Sequence, residues 1–146
     1  MNDQEAPQFS VQPGKTYFLR IINVSGFSQF YIHIDDHDFT IIEADGVYTR
    51  PQQTQDLYIA TGQRYGVLLK TRPTADKNYP ILGAMDVGGF DPLAIPTDLM
   101  PNVTGALVYD GMFDAHKKGQ HLLTQSPSSY ETDSLRSAAC LRVQRL

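Results

Sequence analysis

The chain reads as an all-β sandwich or barrel, on three observations. Apolar residues alternate with period two through most of residues 9–110. Turn signals break the alternating runs at short intervals, and no segment in that stretch sustains a helical period. In TYFLRIIN, Tyr17, Leu19 and Ile21 share one face, with Phe18, Arg20 and Ile22 on the other. In FYIHI, Phe30, Ile32 and Ile34 are predicted to point inward, with Tyr31, His33 and Asp35 opposite. FTIIEA sets Phe39 and Ile41 against Thr40 and Ile42. Further strands are predicted at LYIA (57–60), YGVLLKT (65–71), PILGAM (80–85) and GALVY (105–109). The separators are Pro13-Gly14, Ser25-Gly26, Asp45-Gly46, Thr61-Gly62, the run from Ala75 to Asn78, and Gly88-Gly89.

The character changes near Gly111. From Met112 the chain is rich in serine, strand alternation stops and the last residues turn basic. The expected organisation is therefore one domain over residues 1–111, with an irregular or disordered tail over 112–146. Within the tail, LRSAACLRVQRL is compatible with a short amphipathic helix carrying Leu135, Ala138, Ala139 and Arg142 along one stripe.

Composition excludes several classes. A chain of 146 residues is about one domain and can bury roughly two-thirds of its unfolded surface. A formal charge of −4 gives no electrostatic case for a nucleic-acid partner. No apolar run approaches the length of about 18 residues that spans a membrane. The first residues, MNDQEAPQFS, lack the basic and apolar regions of a secretory signal. The single cysteine, Cys140, rules out an internal disulfide. Asn23-Val24-Ser25 and Asn102-Val103-Thr104 are candidate glycosylation sequons at Asn23 and Asn102.

Metal chemistry finds few donors. His33 and His37 lie four residues apart, about 13 Å along an extended strand and too far for one ion unless the chain bends after Asp35. His116 and His121 lie in the divergent tail. Cys140 has no neighbouring histidine with which to build a His₂Cys blue-copper site.

Several motifs occur in a telling order: VQPGKTYFLRIIN at residues 11–23, IDDH at 34–37, TIIEADG at 40–46, Gln63-Arg64-Tyr65, and NVTGALVYD at 102–110. In type and spacing this series resembles the second, middle cupredoxin domain of three-domain multicopper oxidases, in the branch of fungal iron-transport ferroxidases and laccase-like oxidases. The resemblance covers residues 9–110, about 70% of the chain. It implies a cupredoxin-like Greek-key β-sandwich, lacking its first strands here. It also implies a parent that takes single electrons from Fe²⁺ or a phenol and passes four to O₂.

By the same resemblance the parent's copper ligands are H-x-H, H-x-x-H-x-H and H-C-H motifs in the first and third domains. None of these occurs here. Copper is then a cofactor of the intact parent and is not bound by this chain, which by itself is expected to be inactive. The missing first and third domains are the implied partners, with Fe²⁺ as a further one, and the implied location is secreted or cell-surface. The middle domain contributes part of the donor site. The resemblance puts Asp35, the acid before the IDxH histidine, in that role, with Asp91 and then Asp86 as candidates for a second acid in the loop MDVGGFDPLAIPTDL. A stand-alone, non-catalytic β-sandwich binding module and a non-functional truncated product are the alternatives. His37 reads as a buried structural histidine, Glu43 and Asp45 as shapers of the EADG turn, and Arg64 as a partner of a carboxylate or of loop carbonyls.

Overall fold

In the computed structural model the described residues are 6–74, 77–91, 93 and 95–110, together with the backbone of 139–145. They form ten strands and no helix. These are β1 (Gln8–Val11), β2 (Thr16–Asn23), β3 (Phe30–Ile34), β4 (Phe39–Ala44), β5 (Val47–Thr54), β6 (Asp56–Ile59), β7 (Arg64–Lys70), β8 (Tyr79–Met85), β9 (Asn102–Tyr109) and β10 (Ala139–Arg145). One sheet has the order β1-β9-β8-β3-β6 and the other β10-β2-β7-β4-β5. The β1–β9 pair is parallel and the other pairs are antiparallel. Apart from the hairpin β4–β5 and the neighbours β8 and β9, each step along the chain crosses to the opposite sheet. The molecule is a cupredoxin-like Greek-key sandwich: the alternation pointed to a two-layer or closed β fold, and the family resemblance to this form of it.

The core is the inner face of each sheet. Tyr17, Leu19 and Ile21 of β2 and Val67 and Leu69 of β7 are buried, as is Phe39 of β4. Opposite them lie Phe30, Ile32 and Ile34 of β3, Leu57 and Ile59 of β6, Ile81 of β8 and Leu107 of β9. Full burial of each such side chain contributes about 1.5–3 kcal/mol. β4 carries a bulge between Ile41 and Glu43, opposite Gly66 on β7. A Cβ at Gly66 would meet the Phe18 ring at 2.9 Å and Glu43 Cβ at 3.0 Å, so glycine is what admits the ring there.

Buried polar residues pin the loops. The Asn23 side chain is fully buried. It donates from Nδ2 to Ser28 O (2.7 Å) and Ile59 O (3.3 Å), and its Oδ1 accepts from Ser25 N (3.0 Å). Thr71 Oγ1 accepts from Lys15 N at 2.8 Å, and its one hydrogen is shared between Gln12 O and Lys15 O. His37 is buried at the end of the β3–β4 turn. Its Nδ1 lies 2.7 Å from Asp35 O, a group that only accepts, so Nδ1 carries the proton. Nε2 then accepts from the Tyr109 hydroxyl at 2.6 Å, and that oxygen in turn accepts from Arg72 N at 2.8 Å. The chain of bonds is complete with a neutral imidazole. It ties the β3–β4 turn, the end of β9 and the segment after β7 together.

Three strands fall outside the sequence expectations. β5 is exposed along nearly its whole length, Val47 and Tyr48 included, and contains Pro51, so it carries no alternation. It is held by the tight Asp45-Gly46 turn, whose φ values of +52° and +87° suit a two-residue hairpin. β1 is four residues long. β10 corrects the reading of the C-terminus. Ala139–Arg145 is a strand paired antiparallel with β2, from Ala139↔Asn23 to Arg145↔Tyr17, in place of the compatible short helix or an irregular end. Leu141 and Val143 alternate with Arg142 and Gln144, and β2 offers an edge with unpaired backbone groups, so the tertiary partner decides the conformation. Residues 112–138, including His116, His121, Leu135 and Ala138, lie outside the described residues.

Two outcomes follow. Phe39→Ala, which empties a fully buried site, is expected to cost about 3–5 kcal/mol in urea unfolding. The second concerns pH. Burial pushes the His37 imidazole below its ordinary value of 6.5, against the raising effect of the bond to Asp35. The unfolded chain therefore takes up this proton first, so the His37 contribution is fully present above about pH 6.5 and is lost as pH falls towards the lower folded value. The urea midpoint should drop more between pH 7 and pH 5 in the native chain than in His37→Gln. Equal drops would show that His37 is not buried neutral.

Candidate functional site

The inward face of β3 is fixed by Phe30, Ile32 and Ile34, so Tyr31 and His33 project outward. On β6, Leu57 and Ile59 are buried and Asp56 and Tyr58 project the same way. The register sets Tyr31 opposite Tyr58 and His33 opposite Asp56. Two small clusters result on one outer face.

At the C-terminal end of β3, His33 lies between two carboxylates. Its Nδ1 is 2.9 Å from Asp56 Oδ1, and its Nε2 is 3.3 Å from Asp35 Oδ1. Side-chain exposures of 51% for Asp35 and 66% for Asp56 leave both acids open to a partner. The main chain of Asp35 is held on both sides: its N–H donates to Pro80 O at 3.4 Å, and its carbonyl accepts from His37. The next residue, Asp36, takes the left-handed conformation (φ +57°), which aspartate tolerates. Asp36 pairs with Lys77 Nζ at 3.2 Å, and that ammonium holds its carboxyl below the usual range.

At the other end of the strand, the Tyr31 and Tyr58 rings meet at 4.8 Å between centroids. The Tyr58 hydroxyl donates to Asp86 Oδ2 at 3.3 Å. Partial desolvation and that carboxylate both push the Tyr58 hydroxyl up. Asp86 also accepts from Gly88 N through Oδ1 (3.0 Å), and its own N–H donates to Gln29 O (2.8 Å). Asp91 accepts from Leu93 N at 3.0 Å, and its neighbour Phe90 packs edge-on against Phe27 at 5.3 Å.

The three acids singled out from the sequence therefore do not converge. Asp35 is bonded to Pro80 at the start of β8, whereas Asp86 follows the end of β8 and is bonded to Gln29. β3 and β8 run antiparallel. Gln29 and Asp35 are six residues apart, about 20 Å along an extended strand. Asp91, anchored through Phe90 to Phe27, lies at the Asp86 end. One ion cannot bridge carboxylates that far apart. His33 and Asp56 take the place of Asp86 and Asp91 beside Asp35. The i,i+2 spacing of His33 and Asp35 signals a shared face, but Asp56 is 21 residues from Asp35 in sequence and only the β3–β6 register brings it there.

The described residues do not fit a copper centre. Among them no three histidine, cysteine or carboxylate side chains could together hold a metal ion. Both ring nitrogens of His33 and both of His37 are engaged by protein groups. Of the two sequons, Asn23 is corrected: its amide is fully buried and doubly bonded, leaving no room for a glycan on the folded domain. Asn102 begins β9 and is partly exposed. Arg64 meets both expectations, with Nη1 3.6 Å from Asp45 and donating to Gly62 O at 3.1 Å.

Comparison with known proteins agrees with this architecture. The family described as Multicopper oxidase matches residues 1–112. An iron transport multicopper oxidase FET3 of Candida albicans is 44% identical over 109 residues, which is 75% of this chain and 17% of that protein. Its namesake in Saccharomyces cerevisiae is 44% identical over 102 residues, 70% of this chain and 16% of that one. Among solved structures, Fet3p, a multicopper oxidase that functions in iron import, superposes with a TM-score of 0.71 at 36% identity, over 92% of this chain and 23% of its own. A laccase from Botrytis aclada gives a TM-score of 0.64 at 31% identity, over 89% and 21% of the two chains. This chain thus spans about a sixth of the length of the curated relatives it matches. Sheet order, ordered motifs and both kinds of likeness agree: the chain belongs to the multicopper oxidase family.

Proposed function

We propose that this chain is the copper-free domain of a ferroxidase-type multicopper oxidase and that it presents Asp35 to the electron donor, Fe²⁺. The observation that carries the reading is the half-exposed Asp35 carboxylate, paired with His33, whose ring Asp56 holds from the other side, and mounted on a turn locked by His37. The relatives' names, which speak of iron transport, favour iron as the donor, and a phenol is the competing one by the family resemblance drawn from the motifs. Copper and its chemistry belong, in this reading, to parts of the oxidase outside this chain. A secreted or cell-surface location goes with the same proposal.

The role of Asp35 is electrostatic. A carboxylate beside iron attracts Fe³⁺ more than Fe²⁺, because the extra positive charge adds to the Coulomb energy. That preference eases loss of the electron. At 4 Å a unit charge change contributes between about 1 kcal/mol in water and about 4 kcal/mol at an effective dielectric of 20. Solvent screening at a half-exposed group favours the lower part of that range. Oxygen ligands also suit a hard cation. Asp86 and Asp91 have no part in this site. They lie at the far end of the face, bonded to Tyr58, Gly88 and Leu93.

The test is a chimera. Residues 1–110 replace the matching segment of the Candida albicans relative, and Fe²⁺ oxidation is followed by oxygen uptake. Asp35→Ala should lower kcat/KM for Fe²⁺ about tenfold, equivalent to about 1.4 kcal/mol, with copper content unchanged. Asp86→Ala and Asp91→Ala should each stay within about twofold of the parent chimera. An Asp35→Ala chimera as active as its parent would remove the donor-site role.

A further inference from the structure

We propose that β10 is an intramolecular cap on the edge of β2, and that this edge, once uncovered, accepts a strand from a second copy of the chain. Among the described residues β2 has β7 on one side and β10 on the other. It is also a principal core strand, with Tyr17, Leu19 and Ile21 buried, so it cannot be frayed away without opening the sandwich. Without β10, a strand of eight residues would display its outward N–H and C=O groups to solvent. A long, regular, uncovered edge of this kind is a template for pairing in trans.

The other edge strands differ. β5 carries Pro51 and Arg50, which oppose pairing with another chain, and β1 and β6 have only four residues each. β2 has no proline and one charged residue, Arg20. Seven residues of β10 cover it in unbroken antiparallel register. The family match ends at residue 112, so the cap lies outside the residues that the family description matches. β2 also belongs to the sheet opposite β3 and β6, so this inference stands or falls apart from the donor site.

The chain's single cysteine supplies the test. Cys140 is registered directly against Ile22 and two positions away from Arg20. Directly paired positions have Cα atoms about 4.5–5.5 Å apart, inside the disulfide window, whereas a diagonal pair at about 7–8 Å falls outside it. In a glutathione redox buffer, full-length Ile22→Cys should form an intramolecular disulfide at least about tenfold more favourably than Arg20→Cys, read by intact mass without reductant. Equal cross-linking of the two variants would overturn the cap. The second arm removes residues 112–146 and measures mass in solution by sedimentation at tens of micromolar. The full chain should remain monomeric, the shortened chain should self-associate, and a synthetic Ala139–Arg145 peptide should return it to monomer. A shortened chain that folds and stays monomeric would overturn the acceptor edge. Should it fail to fold, full-length Val143→Pro, which breaks the β10 pairing at Leu19 and keeps every residue of the chain, is measured the same way, and a folded monomer there would overturn the acceptor edge.

Discussion

The period-two constraint on β3 governs everything the outer face can do. Phe30, Ile32 and Ile34 must point into the core, because a one-residue slip would bury Tyr31 and His33 and expose three apolar side chains. Once that face is fixed, Tyr31 and His33 are committed outward, and Asp35 follows at the strand end. Pairing with β6 then delivers Tyr58 and Asp56 to the same face. Pairing with β8 places Asp86 at the opposite end. Both the carboxylate–histidine cluster and the separation of the loop acids are consequences of one register.

The display of Asp35 depends equally on what holds the turn behind it. His37 bonds the Asp35 carbonyl on one side and Tyr109 on the other, and Tyr109 is fixed by Arg72 and packed edge-on against Tyr79. Among the described residues no buried side-chain nitrogen or oxygen lacks a hydrogen-bond partner. Asn23 and Thr71 satisfy the same requirement at other loop junctions. Buried polar groups in this fold are therefore joints. They convert a sandwich held by non-directional apolar burial into one with defined loop positions.

Surface charge is arranged locally. Asp36 is neutralised by Lys77 and Asp45 by Arg64, whereas Asp35 and Asp56 share only an imidazole between them. The end of β3 is thus the place on this face where two open carboxylates share a single imidazole. The opposite end of the face is aromatic: Tyr31 packs against Tyr58, whose hydroxyl bonds Asp86, and Phe27 packs edge-on against Phe90.

Sequence alone determined the fold class, the inward and outward faces of β2, β3 and β4, the Asp45-Gly46 turn and the burial of His37. Each rests on local alternation or local turn chemistry, which short-range sterics and apolar burial read directly. It did not disclose β5, whose polar residues are held by a hairpin and carry no periodicity. Nor did it disclose β10, a segment that becomes a strand because β2 offers an unpaired edge. The candidate site divides the same way. His33 and Asp35 share a face by their spacing. The arrival of Asp56 and the removal of Asp86 and Asp91 to the far end were decided by strand pairing, because antiparallel register is set by contacts between residues remote in sequence and no local pattern encodes it.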